Sequence, residues 1–235
     1  ATDVVISAAE DPGYSLDVSL DNGNARSVGA DKLSIASTWI SPAGYGELYS
    51  AQAFKSSGAE YVRAAVSVPL GYSGLSGGLS LSQLNYEINN QDQDGNSLNT
   101  TGRSQNAAVE LKYPFLRSRQ ANLYVTGGID EKRLRGFLNA DLESHYRVEG
   151  GHVGFVGNFF DNMGGGAANS YELTWRHGQV KSGQIEVSDK TAGSFKKFNW
   201  RLSRQQMLTS QLSLFGTVNR SEERRVGKEC RSRWS

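Results

Sequence analysis

Six charged residues set the first chemical question. Arg63, Glu110, Lys112, Glu172, Arg176 and Arg201 each stand at a polar beat of a stretch whose other beats are apolar. In an extended strand, successive side chains point to opposite faces, so each charge is held apart from its apolar neighbours. Charges of both signs on one face and hydrocarbon on the other suit a water-filled passage better than a reaction centre. Two uses fit such a face: plain solvation of a wet lumen, or a lining for a translocating polypeptide. The residue types alone do not separate them.

The remaining constellations with catalytic or ligating spacing are weaker. Gly74-Leu-Ser-Gly-Gly78 fits the G-x-S-x-G elbow, which needs a strand, a turn and then a helix. Here it leads into Leu79-Ser-Leu-Ser-Gln-Leu84, a strand pattern, so turn glycines are the better reading. Asn90-Gln-Asp-Gln-Asp-Gly95 resembles the start of an EF-hand loop, but the twelfth position is Thr101 rather than Glu, and no helices flank it. His145, His152 and His177 lack the i,i+4 pairing or Cys partners of a zinc site. Asn99-Thr-Thr101 fits a glycosylation sequon and signals only a polar loop. No catalytic residue, metal or cofactor is expected.

The elements that must position the six charges are strands. The pattern predicts eleven, near 14–21, 31–40, 47–54, 60–68, 77–88, 105–113, 120–130, 146–160, 168–177, 195–208 and 211–218. Val62, Ala64, Val66 and Val68 oppose Arg63, Ala65 and Ser67; Tyr171, Leu173 and Trp175 oppose Glu172, Thr174 and Arg176. The apolar beat changes sides between Leu79/Leu81 and Leu84/Tyr86/Ile88, which predicts a β-bulge or a strand running past a membrane. Only Leu134–Leu142 allows a helical turn. Tight turns at 41–46, 69–74, 114–119, 161–166 and 209–211 alternate with polar stretches near 22–30, 55–59, 89–105, 131–145 and 178–195. That alternation is the mark of an up-and-down transmembrane β-barrel. Trp39, Tyr45, Tyr72, Tyr113, Phe115, Phe159 and Phe160 gather near the tight turns, as an aromatic girdle at a membrane interface would.

Bulk properties agree with a barrel. The 235 residues suffice for one large domain, and no apolar run reaches the roughly 18–20 residues of a membrane helix. Mean hydropathy is −0.49, as expected when only every second residue meets lipid. The 27 glycines and 4 prolines suit strands and tight turns. The start, Ala1-Thr-Asp-Val-Val-Ile6, has no secretory signal, so the signal was removed or the chain begins in mid-protein. Residues 220–235 break the alternation and resemble translated read-through of a common sequencing adapter; they are set aside as a non-native tail. The tail holds six of the 25 basic and three of the 24 acidic residues, so the body is net −2. The electrostatic case for nucleic acid disappears with it, and so does the only cysteine, Cys230.

Specific stretches resemble a known family. Tyr14-Ser-Leu-Asp-Val-Ser-Leu-Asp-Asn-Gly-Asn-Ala-Arg-Ser-Val-Gly29 is similar to the first barrel hairpin of two-partner secretion transporters, the haemolysin activators and filamentous-haemagglutinin transporters. Pro42-Ala-Gly-Tyr-Gly-Glu47, Val68-Pro-Leu-Gly-Tyr-Ser-Gly74 and Tyr113-Pro-Phe-Leu-Arg-Ser-Arg-Gln-Ala-Asn-Leu-Tyr124 resemble its first three periplasmic turns. The resemblance covers about residues 1–219. It implies periplasmic POTRA domains before a sixteen-stranded barrel, of which about eleven strands are present. Residues 1–10 would then end the preceding periplasmic domain or linker, and 11–219 would be the first part of the barrel. The family's signature Arg-Gly-Tyr loop, expected after the eleventh strand, has no counterpart here, so none of its functional residues is carried over.

The expected fold is therefore all-β: an incomplete, curved and open antiparallel sheet with its first and eleventh strands as free edges, prone to aggregate in water. The resemblance implies a monomeric barrel in the bacterial outer membrane, exporting an unfolded β-helical exoprotein, a haemolysin or an adhesin, without ATP. It also puts the tight turns in the periplasm and the polar loops outside. Its partners would be that cargo and outer-membrane lipid, with no nucleic acid. A passive porin or barrel-assembly protein, and a soluble β-rich adhesin domain, are the alternatives.

Overall fold

The computed structural model describes residues 13–23, 29–91, 97–139, 141–183, 192–209 and 211–226. They form one eleven-stranded antiparallel sheet in simple chain order, with no pairing between the first and last strands. The strands are β1 (Tyr14–Asp21), β2 (Lys32–Ile40), β3 (Leu48–Lys55), β4 (Ala59–Pro69), β5 (Ser76–Gln91), β6 (Ser97–Arg117), β7 (Ala121–Leu138), β8 (Asp141–Asp161), β9 (Ala167–Ser182), β10 (Gly193–Met207) and β11 (Ser213–Val226). The expected open, all-β sheet of eleven strands is what the chain forms.

Several sequence expectations need correction. The polar stretches 89–105 and 131–145 are largely strand, since β5 reaches Gln91 before β6 starts at Ser97, and β7 reaches Leu138 before β8 starts at Asp141; of 178–195, residues 178–182 and 193–195 are strand. The stretch 55–59 narrows to Ser56–Gly58. At the β5–β6 and β7–β8 connections the two ends of the sheet therefore differ less in loop length than in how far the strands run on past their apolar part. Past that part the apolar face turns polar while the other gains apolar side chains such as Leu84, Tyr86, Leu134 and Tyr146, so the beat that marks a strand is lost or reversed. The helical turn allowed over Leu134–Leu142 is absent, since Leu134 and Leu142 lie in β7 and β8. The change of apolar side in β5 is not a bulge, because its pairing to β4 and β6 is unbroken. The turn placed at 114–119 shrinks, with β6 running to Arg117. Finally, β11 continues through Arg220–Val226, which pair with β10 and so extend the sheet past the strand expected near 211–218. Backbone pairing does not require apolar side chains.

The tight turns are fixed by polar groups. In the β2–β3 turn Ser41 (φ 51°), Gly44 (φ 82°) and Gly46 (φ 78°) take left-handed backbone conformations. Glu47 is buried there. Its carboxylate accepts from the Ala43 N–H and, at 2.9 Å, from the Tyr45 N–H. Burial raises the Glu47 carboxyl, but backbone N–H groups outweigh it and hold the group below its ordinary range. At the turn end of β8, past the last apolar row, Asp161 accepts a fork from Arg204, Nη1 to Oδ2 at 2.7 Å and Nη2 to Oδ1 at 3.1 Å. Asn169 Nδ2 donates to the same carboxylate at 2.7 Å and the Met163 N–H at 3.0 Å. Gln206 Nε2 donates to the carbonyls of Met163, Gly164 and Gly166, so β10 is tied to the β8–β9 turn.

The Arg204 guanidinium, with Asn169, lowers the Asp161 carboxyl from 3.8 to about 2. A depressed carboxyl stabilises fully above its ordinary value and loses that contribution as the pH falls through the depressed one. In the detergent-solubilised full-length protein, Asp161→Asn should lower the urea midpoint at neutral pH. The gap to the parent should close between about pH 4 and pH 2, read by intrinsic fluorescence. A gap that persists undiminished at the acid end would show that the fork does not act through this charge.

Candidate pore lining

Residues directly opposite in an antiparallel pair share a face, so the registers sort every side chain. One face carries Val18, Ile35, Val62, Leu81, Val109, Ile129, Val153, Trp175, Phe198 and Val218, all exposed. Among the described residues only Ala59 and Ala167 are buried apolar side chains, and no large side chain is fully buried. The sheet thus has no hydrophobic core of its own, and its apolar face needs a cover. The boundary where this face turns polar lies beyond Leu33 on β2 and Val62 on β4, at Gln105 on β6, at Glu131 and Glu149 on β7 and β8, and at Lys196 on β10. Followed through the registers, it drifts steadily toward the tight-turn end. A level membrane edge crossing tilted strands gives this drift.

All six charges singled out in the sequence fall on the opposite face. Arg63 pairs with Gln52 and Ser82, Glu110 with Gly78 and Gly128, and Lys112 with Ser76 and Thr126. Glu172 lies across from Val156 and Arg201, and Arg176 from His152 and Lys197. They do not gather into one centre; they are spread from β4 to β10 among small and polar residues.

Glycines let long side chains cross the strands on this face. His152 Nε2 lies 3.7 Å from Glu110 Oε1, reaching over β7 at Gly128. A Cβ on Gly128 would stand 2.6 Å from the Val109 carbonyl oxygen and 2.8 Å from His152 Cε1. Arg176 crosses β8 at Gly150 and donates to Asp130. Tyr86 lies on Gly102 and Phe195 on Gly178, each within 2.6 Å of where a Cβ would be. The Lys112 ammonium sits 4.4 Å from the Tyr124 ring centre. His152 Nδ1 is enclosed and meets no hydrogen-bond partner among the described residues. Sequence reasoning missed Asp130, although its polar beat after Ile129 was legible. It weighed His152 for zinc, whereas the neighbour that the register supplies is Glu110.

Of the girdle residues, Trp39 and Tyr113 share the apolar face, Phe159 lies at the turn end of β8, and Phe115 stands at the β6 register shift between Pro114 and Leu116. Tyr45 and Tyr72 project from turns. These six are exposed at the tight-turn end, and so is Phe160, which falls on the opposite, polar face across from Ala168. The run Asn90–Gly95 has side chains outside the described residues, as do Val4–Ile6 and Cys230. In place of the helix a nucleophile elbow needs, strand β5 begins at Ser76.

A family model described as haemolysin secretion/activation protein ShlB/FhaC/HecB matches residues 1–217. Among solved structures, CdiB from Escherichia coli aligns with a TM-score of 0.80 at 19% identity, over 92% of this chain and 42% of that one. CdiB from Acinetobacter baumannii aligns with a TM-score of 0.60 at 14% identity, over 90% and 44%. Both likenesses show the fold, and the chain spans less than half the length of either. No curated protein matches the chain.

The two faces make a paired prediction. Arginine at Val153, on the apolar face, should destabilise the full-length protein in lipid vesicles by about 2–4 kcal/mol, while arginine at Thr126, on the polar face, should cost well under about 1 kcal/mol. Urea titrations followed by tryptophan fluorescence measure both. Equal costs would mean that the faces do not meet different solvents.

Proposed function

The chain belongs to the haemolysin secretion/activation protein family ShlB/FhaC/HecB, and from that premise we propose that the intact protein exports a partner exoprotein through its outer-membrane barrel. The observation that carries the reading is the sidedness of the sheet: eleven strands keep one face apolar and the other polar, glycine-notched and charged with both signs. Arg63, Glu110, Lys112, Glu172, Arg176 and Arg201 then line the passage. Charges paired across the wall, as Arg176 is with Asp130, leave a surface that is wet but weakly adhesive, so an unfolded chain slides without being held. The cargo is an unfolded, β-helical haemolysin or adhesin, and its folding outside the cell draws it forward without ATP. This part of the monomeric barrel supplies wall and lining, and catalyses no reaction.

Trp39, Tyr45, Tyr72, Tyr113, Phe115 and Phe159 form the periplasmic interface girdle in this reading, and the overhanging strand ends stand outside the cell. Residues 220–235 are foreign to the barrel. Arg220 and Glu222 support this, because they fall on the apolar face opposite Trp200 and Phe198, where native strands carry hydrocarbon. An arginine there costs about 2–4 kcal/mol near the membrane midplane.

Export is tested by co-expressing the full-length protein with its genomic neighbour exoprotein and measuring that exoprotein in the medium. Loss of the transporter should abolish its appearance, and joint charge reversal at Glu110 and Glu172 should slow it several-fold without loss of barrel in the membrane. Undiminished release without the transporter would overturn the reading. Cysteine at Tyr72 should resist a membrane-impermeant maleimide on whole cells and react once the outer membrane is opened.

A further inference from the structure

The apolar face changes character sharply where the strands overhang. On β7 and β8 the first polar positions are Glu131 and Glu149, directly opposite each other, and the next are Arg133 and Arg147, also opposite. Like charges facing each other across a strand pair are destabilising unless something lies between them. Here the chain supplies the bridges. Glu131 accepts from Arg133 Nε at 2.6 Å and Arg147 Nη2 at 2.7 Å. Glu149 accepts from Arg147 Nε at 2.7 Å and Lys181 Nζ at 2.6 Å.

One step further out, Arg103 on β6 stands directly opposite Arg135 on β7. No carboxylate bridges this second arginine pair among the described residues. Arg103 Nε donates to the Asn85 amide oxygen at 3.0 Å, a neutral partner. The two guanidinium groups line a cavity of about 530 Å³. The other charged residues on its wall are Lys55, Glu60 and Glu87. Glu60 is engaged by Lys55 at 2.5 Å, and Glu87 accepts from Asn99 Nδ2 at 2.9 Å. The balance on the wall is one positive charge, concentrated at Arg103 and Arg135.

A second hollow, of about 480 Å³, lies on the same strands toward the apolar band; Val62, Ala64, Leu81 and Ala107 form its apolar side, and the remainder of its lining is polar, Glu131 and Arg133 included. Ala64 and Ala107 stand on either side of Leu81 there, and their small side chains leave the space open. Arg103 and Ala107 lie four positions apart on β6, about 14 Å of strand. A cationic hollow thus stands above a mixed one whose apolar side is Ala64, Leu81 and Ala107, with the Gln83–Gln105 pair between them, at the level where the face leaves hydrocarbon.

We propose that β5, β6 and β7 form a site for a phosphorylated lipid of the outer leaflet, its phosphate held between Arg103 and Arg135 and an acyl chain laid along Ala64, Leu81 and Ala107. A phosphate accepts from two guanidinium forks at once and removes the repulsion between them. Glu131 does the same for Arg133 and Arg147 one step lower. The assignment rests on the reading that the overhanging strand ends face outward.

The test is binding of diphosphoryl lipid A, and of the same lipid stripped of phosphate, to the purified full-length protein in detergent, read by native mass spectrometry. The phosphorylated form should bind about tenfold more tightly or better. The double variant Arg103→Gln/Arg135→Gln should lose that preference, while Lys132→Gln, on the other face, should keep it. Equal binding of the two lipids by the parent overturns the site, whether or not the double variant folds, and so does an unchanged preference in a folded double variant. Maleimide labelling of cysteine at Tyr72 on unopened cells would overturn the orientation, and the outer-leaflet assignment with it. Correct labelling without a phosphate preference overturns the lipid site alone.

Discussion

Unbroken antiparallel register is the constraint on which everything else here depends. A slip of one residue in any pair would carry that strand's apolar side chains to the wet face and its charges into lipid. Nine of the ten interstrand ladders could be regular and the tenth would still ruin the wall. The irregularities that do occur respect this. The shift between Pro114 and Leu116 lies at the tight-turn end of β6, and that between Gly136 and Phe137 lies near the loop end of β7. Between them the ladder from Tyr113 to Thr100 is continuous, and this is the part that crosses the apolar band.

Register also explains the glycines. A wall one strand thick cannot bury a long polar side chain beneath itself; it can only lay it sideways over a neighbour. Gly128 and Gly150 remove the side chains that would obstruct His152 and Arg176, so polar groups on alternate strands approach each other along the polar face. Gly102 and Gly178 do the same for Tyr86 and Phe195. The lining is smoother for it, and each crossing ties together three strands where backbone pairing ties two. Rigidity and a low-relief surface come from the same substitution of glycine for a larger residue.

How much of this was legible in the sequence depends on what stands outside each strand. Where lipid is the solvent, alternation is forced, and Val62–Val68 or Tyr171–Trp175 could be assigned to a face from their beat alone. The six charges followed from the same beat. Past the apolar band nothing forces alternation, so Arg133 and Arg135 read as loop and are strand. Pairing partners were not legible either. That Glu110 meets His152, or that Arg103 meets Arg135, depends on turn lengths and on the shift at Pro114, and neither leaves a periodic trace. At β5–β6 and β7–β8 the contrast between short turns and long loops turned out to be a contrast in strand overhang.

The free edges complete the physical argument. β1 and β11 each present a row of backbone groups with no partner strand among the described residues. In water such a row is solvated and merely sticky; in hydrocarbon each unpaired group costs several kcal/mol. The apolar face, without a buried core behind it, is stable only against lipid, and lipid is the solvent in which the edges are intolerable. The two demands are compatible only when other strands cover both edges. The sheet is therefore a segment of a closed wall, in keeping with its covering 42% of the E. coli CdiB chain. Its sidedness, its tilt and its overhang are properties of that closed barrel, already written into fewer strands than the barrel needs.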